Sequence, residues 1–322
     1  MTIMNCIYAM IGSYPMKSLD GRNLNNLHFK WNSTNKPVLR VSEGEEFEVI
    51  IPDSSTMQVK RNSNLSDLRK IDSSLFDGAV GPVYVDGSEP GECITVKIKK
   101  IETEDWGWTA IMDNFGLLKN MFSETLIVWK IEEGVITSER EILKNVKIRE
   151  EPFLGVIGTA PAEGEYGMIP PQYFGGNMDN KFICAGSSVT LPVSVKGALL
   201  SFSDPHASQG DGEICGTAVE TGARIVANVS IEKNRKIKHP IVRSKKRIAE
   251  DSVVCTGIGP DLYTSSQNAA LSMIELLHEK GISKEEAYIL CSVAGNLHIS
   301  EIVDEPNFVV SMEMPENLIN ML

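Results

Sequence analysis

From Val38 to about Ile148 the chain is written in short alternating runs of β-branched and apolar residues. These are Val38-Leu-Arg-Val41, Phe47-Glu-Val-Ile-Ile51, Val83-Tyr-Val85, Ile94-Thr-Val-Lys-Ile98 and Thr125-Leu-Ile-Val-Trp129. Side chains two apart share one face of a strand, so each run can bury one face and leave the other to solvent. Turn residues separate the runs at the spacing of a sandwich or barrel, with one short helical turn expected near 65–71. The pattern predicts a mainly β protein of antiparallel, sandwich-like lobes. Gly44-Glu45-x-x-x-Val49-x-Ile51 is echoed by Gly91-Glu92-x-x-x-Val96-x-Ile98, and Pro82-Val83-x-Val85-x-Gly87 by Pro192-Val193-x-Val195-x-Gly197. An internal duplication would account for the second echo, which joins the two halves of the chain.

Helical periodicity enters only late. Ser265-Ser266 reads as the cap of a helix over 267–280, with Ala270, Met273, Ile274 and Leu277 at helical spacing and Gly281 past its end. Ser283-Lys-Glu-Glu286 is a capping box opening a second helix through Val293, and Leu297 to Val303 alternates again as a strand. The expected organisation is an N-terminal extension (1–20), a first β lobe (21–150) and a second β lobe (151–260) carrying most of the acid-rich turns. A helix-helix-strand α+β segment (261–322) completes the same globule.

Composition narrows the function classes. With 31 basic and 43 acidic residues the net charge is −12, which argues against a nucleic-acid surface. One stretch departs from this, Lys233 to Arg247, where basic residues alternate with Ile237 and Ile241; it reads as a hairpin with a solvated cationic face. The six cysteines are dispersed without CxxC spacing, so free thiols in a reducing, cytoplasmic setting are expected. Residues 1–16 are mildly apolar but interrupted by Asn5 and Tyr8, and fit neither a signal peptide nor a membrane span.

Acid- and glycine-rich turns recur at 81–92, 157–164, 175–180 and 204–220. The densest places Asp204, His206, Asp211 and Glu213 within ten residues, jointed by Gly210 and Gly212. Carboxylates crowded in a tight turn repel unless a cation or a proton is held among them. A mixed nitrogen and oxygen set suits zinc or another divalent first-row ion. The competing local reading is a polar turn with Asp and Gly at turn positions.

Together these turns resemble the acetamidase/formamidase family, whose members hydrolyse short aliphatic amides to carboxylate and ammonia. The likeness runs from about Leu27 to near residue 312. It is carried by GPVYVDGSEPGE at 81–92, IGTAPAEG at 157–164, GGNMD at 175–179 and DPHASQGDGE at 204–213, with Trp106-Gly107-Trp108 beside them. The resemblance implies a mostly antiparallel β fold with a smaller α+β part, a small amide substrate and a homo-oligomer, expected as a homodimer. The chain departs from the family at Ser203, where glycine is common, at Pro205, at Glu92, and before Gly81, where Phe76 to Val80 lacks a His-Pro pair.

Amide hydrolysis needs a nucleophile, oxyanion stabilisation and a proton for the leaving nitrogen. The chain has no Gly-x-Ser-x-Gly elbow, and Cys184 and Cys215, the thiols near the motifs, have no evident histidine partner. A water activated by a divalent metal fits the side chains better, with zinc favoured and calcium suited to a second site. His206, Asp204, Asp179 and Asp211 are the candidate ligands. Glu213 or Glu163 would move the proton, and Asn177 with the Gly175 and Gly176 amides would orient the amide or hold the oxyanion. His28, His239, His278 and His298 are expected to be structural. The competing class is a non-enzymatic divalent-cation-binding β-sandwich module, or a catalytically altered relative.

Overall fold

The alternating runs form strands where the pattern marks them. Along Phe47–Ile51 the side chains of Phe47, Val49 and Ile51 are buried while Glu48 and Ile50 are partly exposed. The computed structural model describes residues 16–322 apart from 139, 141, 142, 144 and 245–250. Most of the N-terminal extension, Cys6, and Lys245, Lys246 and Arg247 of the basic stretch therefore lie outside the described residues.

Two sheets face each other. The larger has nine strands in the order Lys17–Asp20, Phe47–Ile51, Ala223–Glu232, Cys93–Thr103, Ser188–Pro192, Ile241–Ser244, Ser252–Gly259, Phe308–Pro315 and Asn296–Glu301. The smaller runs Gly175–Asn177, Phe153–Gly158, Leu200–His206, Ala79–Val85 and Leu27–His28, with Leu39–Val41 added parallel to Ala79–Val85. Both interleave strands from before and after residue 150. Their inner faces supply one continuous apolar core, in which Phe47 of the large sheet meets Phe202 of the small one at a ring separation of 6.2 Å. A third sheet, Ile148–Arg149, Val135–Ser138, Thr125–Glu132 and Trp106–Ile111, closes one end. The glycine turns of the second echo lie side by side: Val85 N–H donates to Gly197 O and Gly197 N–H to Ser88 O, both at 3.0 Å.

The helices Leu262–His278 and Lys284–Ala294 cover the other face of the large sheet, where Ala269, Met273, Leu277 and Cys291 pack on Val253, Cys255 and Met312. The capping box at Ser283 and Glu286 forms as the pattern predicts. The first helix starts earlier than expected, because Asp261 and not Ser265 accepts the free N-terminal amide, Thr264 N–H, at 2.7 Å. Ser265 is instead buried, donating to Asp261 O. Among the described residues, the strands on either side of 233–240 do not pair as a hairpin: Cys93–Thr103 and Ser188–Pro192 separate Ala223–Glu232 from Ile241–Ser244, which pairs instead with Ser252–Gly259. Ile241 is drawn away because it belongs to the core beneath the helices. Among the described residues no helix is long and apolar enough to cross a membrane.

One glycine sets the helix–sheet spacing. A Cβ on Gly257 would lie 2.1 Å from Ser265 O and 2.2 Å from Ala269 N, both backbone atoms of the first helix. Gly257→Ala must push that helix off the sheet, so a loss of at least about 1–3 kcal/mol is expected, the usual cost of overpacking. Chemical denaturation would check it; an unchanged midpoint would mean that the helix is not seated on this backbone.

Candidate active site

The turns before and after the strands of the small sheet converge on one buried point. Asp204 and His206 come from Leu200–His206, Asn177 ends Gly175–Asn177 and Asp179 follows it, and Asp77 stands two residues before Ala79–Val85. Glu213 and Glu220 come from the loop after His206, and Asp304 follows the edge strand Asn296–Glu301. All of these side chains are buried. Glu220 is fixed by paired backbone hydrogen bonds with Trp108 at 2.8 and 2.9 Å, which tie the third sheet to the site.

Backbone conformation aims the acids inward. Asp77, Asp179, Asp204 and Glu213 all have positive φ, at 52°, 43°, 53° and 46°. This left-handed region is costly for residues with a side chain, and such strain is retained where surrounding structure enforces it. Gly155 makes the space: a Cβ there would stand 2.4 Å from Asp204 Oδ2 and 2.5 Å from Asp179 Oδ1. Only a residue without a side chain lets the two carboxylates meet over this strand.

His206 is the centre of the cluster. Its Nδ1 lies 2.8 Å from Gln209 Oε1, and Gln209 Nε2 donates to Asp179 O and Ser300 O, both at 3.2 Å. Gln209 therefore presents an acceptor to Nδ1–H and directs Nε2 at the carboxylates. Nε2 is 3.0 Å from Asp204 Oδ2, 3.2 Å from Glu220 Oε2 and 3.9 Å from Glu213 Oε1, while Asp179 Oδ1 is 3.7 Å from Nδ1. Yet Nε2 has no hydrogen-bond partner, nor have Asp204 Oδ1, Asp179 Oδ1 and Oδ2, or Asn177 Oδ1. Buried polar atoms are rarely left so, and several converging on one point fit a ligand shell.

Electrostatics show how strongly these groups act on one another. Burial pushes Asp77, Asp204, Glu213 and Asp304 well above the usual carboxylate range, and neighbouring carboxylates push them further. Burial likewise raises Asp179 to about 6 and Glu301 to about 8. Burial alone would lower His206, but Asp204 and Glu220 outweigh it and raise the imidazole. Burial also works to raise Glu220, where the His206 charge prevails and holds it below its ordinary value.

Three groups of side chains bring ligand atoms within 4.8 Å of one another: Asp179, Asp204 and His206; His206, Glu213 and Glu220; and Asp179, Glu213 and Asp304. The separations of 3.0 and 3.2 Å about Nε2 match the roughly 3.3 Å ligand–ligand edge of a tetrahedron with bonds of about 2.0 Å to zinc. The residues present thus fit a divalent cation.

The remaining candidates lie elsewhere. Glu163 is exposed on the loop after Phe153–Gly158, outside the cluster. Asp211 faces out to an ion pair with Lys181 and to His298. Gly175 N–H is already donated to Gln172 O at 2.9 Å, and neither Gly175 nor Gly176 is among the residues lining the cavity over the cluster. The absent side chain of Gly175 serves close packing: a Cβ there would lie 2.3 Å from Ile157 O. Asp77, Glu220 and Asp304 were not among the expected site residues; only Glu220, a lone acid among small residues in Gly216-Thr-Ala-Val-Glu-Thr-Gly222, carries a local cue. Of the other histidines, His28 bonds Ser201 Oγ at 2.9 Å and His278 bonds Ile282 O at 2.7 Å.

The fold and the site define a β-sheet protein with a buried carboxylate–imidazole centre under a small cavity. The family model of the acetamidase/formamidase family matches residues 17–166 and 162–321. A formamidase of Methylophilus methylotrophus is 28% identical, over 91% of this chain and 89% of its own length. The crystal structure of a predicted acetamidase/formamidase from Thermoanaerobacter tengcongensis superposes with a TM-score of 0.87 at 31% identity, covering 95% of this chain and 98% of that one. An acetamidase structure from Bacillus halodurans gives a TM-score of 0.86 at 28% identity, covering 95% and 99%. The chain belongs to the acetamidase/formamidase family.

The loop that carries the motif is anchored by charge. His298 Nδ1 is 3.3 Å from Asp211 Oδ2 and Nε2 is 3.0 Å from Glu313 Oε2; these bonds raise the imidazole to about 9. Because that exceeds the unfolded value of about 6.5, the pair stabilises the fold fully below pH ~6.5 and loses this contribution as pH rises through about 9. The stability difference between wild type and His298→Gln should therefore be larger at about pH 6 than at about pH 9.5. Equal differences by denaturant titration would refute the anchor.

Proposed function

We propose that this protein is an amidohydrolase that cleaves a short linear amide, formamide or acetamide, to carboxylate and ammonia with the help of a divalent cation. The observation that carries the reading is His206 Nε2, which stands 3.0 and 3.2 Å from two carboxylate oxygens without a hydrogen bond to either. His206, Asp204 and Asp179 would hold the ion, with Glu220 in reach, and the mixed nitrogen and oxygen set favours zinc. When bound, such an ion lowers the pKa of a water and polarises the amide carbonyl.

The chain's own groups supply the rest. Asn177 Nδ2 is committed to Asp304 Oδ2 at 2.8 Å, while Oδ1 is buried without a partner at the cavity wall. Asn177 Oδ1 is thus free to accept an N–H of the substrate amide. Glu213, raised by burial and by Asp179, is a carboxyl suited to take a proton from the attacking water and return it to the leaving nitrogen as the C–N bond breaks. The all-oxygen set Asp179, Glu213 and Asp304 has the character of a calcium site; Glu213 cannot be a ligand there and a free base at once, and we assign it the proton. Five free cysteines among the described residues support a reducing, cytoplasmic setting, and a homodimer is the assembly assigned from family likeness.

Ammonia release from formamide and acetamide tests the reading. Exhaustive chelation should abolish turnover and added zinc restore it. His206→Ala and Asp204→Asn should remove nearly all activity, and Glu213→Gln should lower kcat by about 10²–10⁴-fold. Full turnover after chelation would overturn the metal assignment. Thermal destabilisation by chelator, with no ammonia from any amide, would favour a cation-binding module instead.

A further inference from the structure

The cavity over the cluster is lined by two unlike halves. One is polar, with Asn177, Asp204, Glu213 and Glu220 among its groups, and the other is apolar, formed by Phe76, Met112, Phe115 and Ile169. The carboxylates are buried and the four apolar residues are half-buried, so the apolar half lies on the solvent side. The free space between them is about 30 Å³. A water needs about 10–15 Å³ of such space, so the cavity holds only a few heavy atoms.

Phe115 is the fixed member of the apolar half. It sits in the loop after Trp106–Ile111, and that loop is bound to the one carrying Glu213. Leu117 N–H donates to Ile214 O at 2.9 Å, and Ala110 N–H to Thr217 Oγ1 at 2.9 Å. Gly216, at φ +79°, is the seat of the ring: a Cβ there would lie 2.5 Å from Phe115 Cδ1 and Cε1. The ring is thus held flush against a backbone with no side chain, facing the carboxylates across a gap only a few atoms wide.

We propose that Phe115, seated on Gly216 and flanked by Ile169, is the specificity-determining residue that limits the acyl group of the substrate to hydrogen or methyl. The inference rests on the amide-hydrolysis reading and adds to it the group that sets chain length. With the amide nitrogen against Asn177 Oδ1 and the carbonyl at the carboxylate cluster, the acyl substituent is left to point at the apolar half. An added methylene there meets the Phe115 ring. Each methylene gained or refused in such a pocket is worth about 10–200-fold in kcat/KM.

The test is kcat/KM by ammonia release for formamide, acetamide, propionamide and butyramide, with wild type, Phe115→Ala and Ile169→Ala. Both side chains are half-buried, and circular dichroism with thermal unfolding would verify that the variants fold. Wild type should use the first two amides and fall at least tenfold at propionamide. Phe115→Ala should raise the propionamide-to-formamide ratio at least tenfold, and Ile169→Ala should raise it less. Ammonia release with a chain-length profile unchanged within twofold in both variants would overturn the role of Phe115 and leave the amide reading standing. No ammonia from any amide with zinc-supplied wild type would overturn the amide reading and this inference with it.

Discussion

Like-charge repulsion in a desolvated space is the constraint that the rest of the structure answers to. Asp179, Asp204, Glu213 and Glu220 are buried against one imidazole, and Asp77, Glu301 and Asp304 are buried close enough to raise one another or these four. Two unit charges 4 Å apart interact by about 4 kcal/mol at an effective dielectric of 20. A whole domain is stable by only about 5–15 kcal/mol. Seven ionised carboxylates crowded into one buried region are therefore incompatible with a folded chain. Either protons or a cation must be shared among them, and the raised carboxyls of Asp77, Asp204, Glu213 and Asp304 are the proton form of that answer. A divalent ion would be the other form, and the unpartnered oxygens and Nε2 belong to groups that could hold one.

The scaffold supports this crowding with rigid, irregular backbone. Left-handed residues at four of the acids would relax if the strands beside them were free, but the small sheet is locked against the core on one side and against Glu220 and Trp108 on the other. Gly155 performs the complementary task by withholding a side chain where Asp204 and Asp179 meet. Strain and space are thus placed together, as expected where a polar centre is preorganised. Gln209 extends the same logic outward, since one amide group orients His206 and bonds carbonyls in two separate segments.

Much of the fold was legible because strand alternation is local: burial along Phe47–Ile51 follows the sequence residue by residue. The helix start was misjudged because two good capping residues, Asp261 and Ser265, compete, and only tertiary contact puts Ser265 in the interior. The site was partly legible for the same reason. Asp179, Asp204, His206 and Glu213 lie in glycine-jointed turns that mark themselves. Asp211 and Glu163 carry the identical mark, an acid beside glycine, and end elsewhere because Lys181 and His298 hold one while solvent surrounds the other. What separates the two outcomes is the element opposite, which neighbouring residues do not encode. Asp304 was missed for the converse reason, since it is an ordinary acid locally and joins the cluster only through sheet order; Asp77, beside Gly78, carries the mark but lies outside the four turns.

The two halves of the cavity make opposite demands that one arrangement meets. Carboxylates and an imidazole interact strongly only where water is scarce, yet a hydrolase must admit water and a polar substrate. A wide apolar mouth would flood the cluster and weaken every charge interaction in it; a sealed one would exclude the substrate. Phe76, Met112, Phe115 and Ile169 stand on the solvent side of a space large enough for a few atoms. The residues that limit the size of the ligand are therefore the same ones that keep the dielectric low around His206. Chain-length selectivity and the strength of the electrostatic centre are in this way two consequences of one apolar wall.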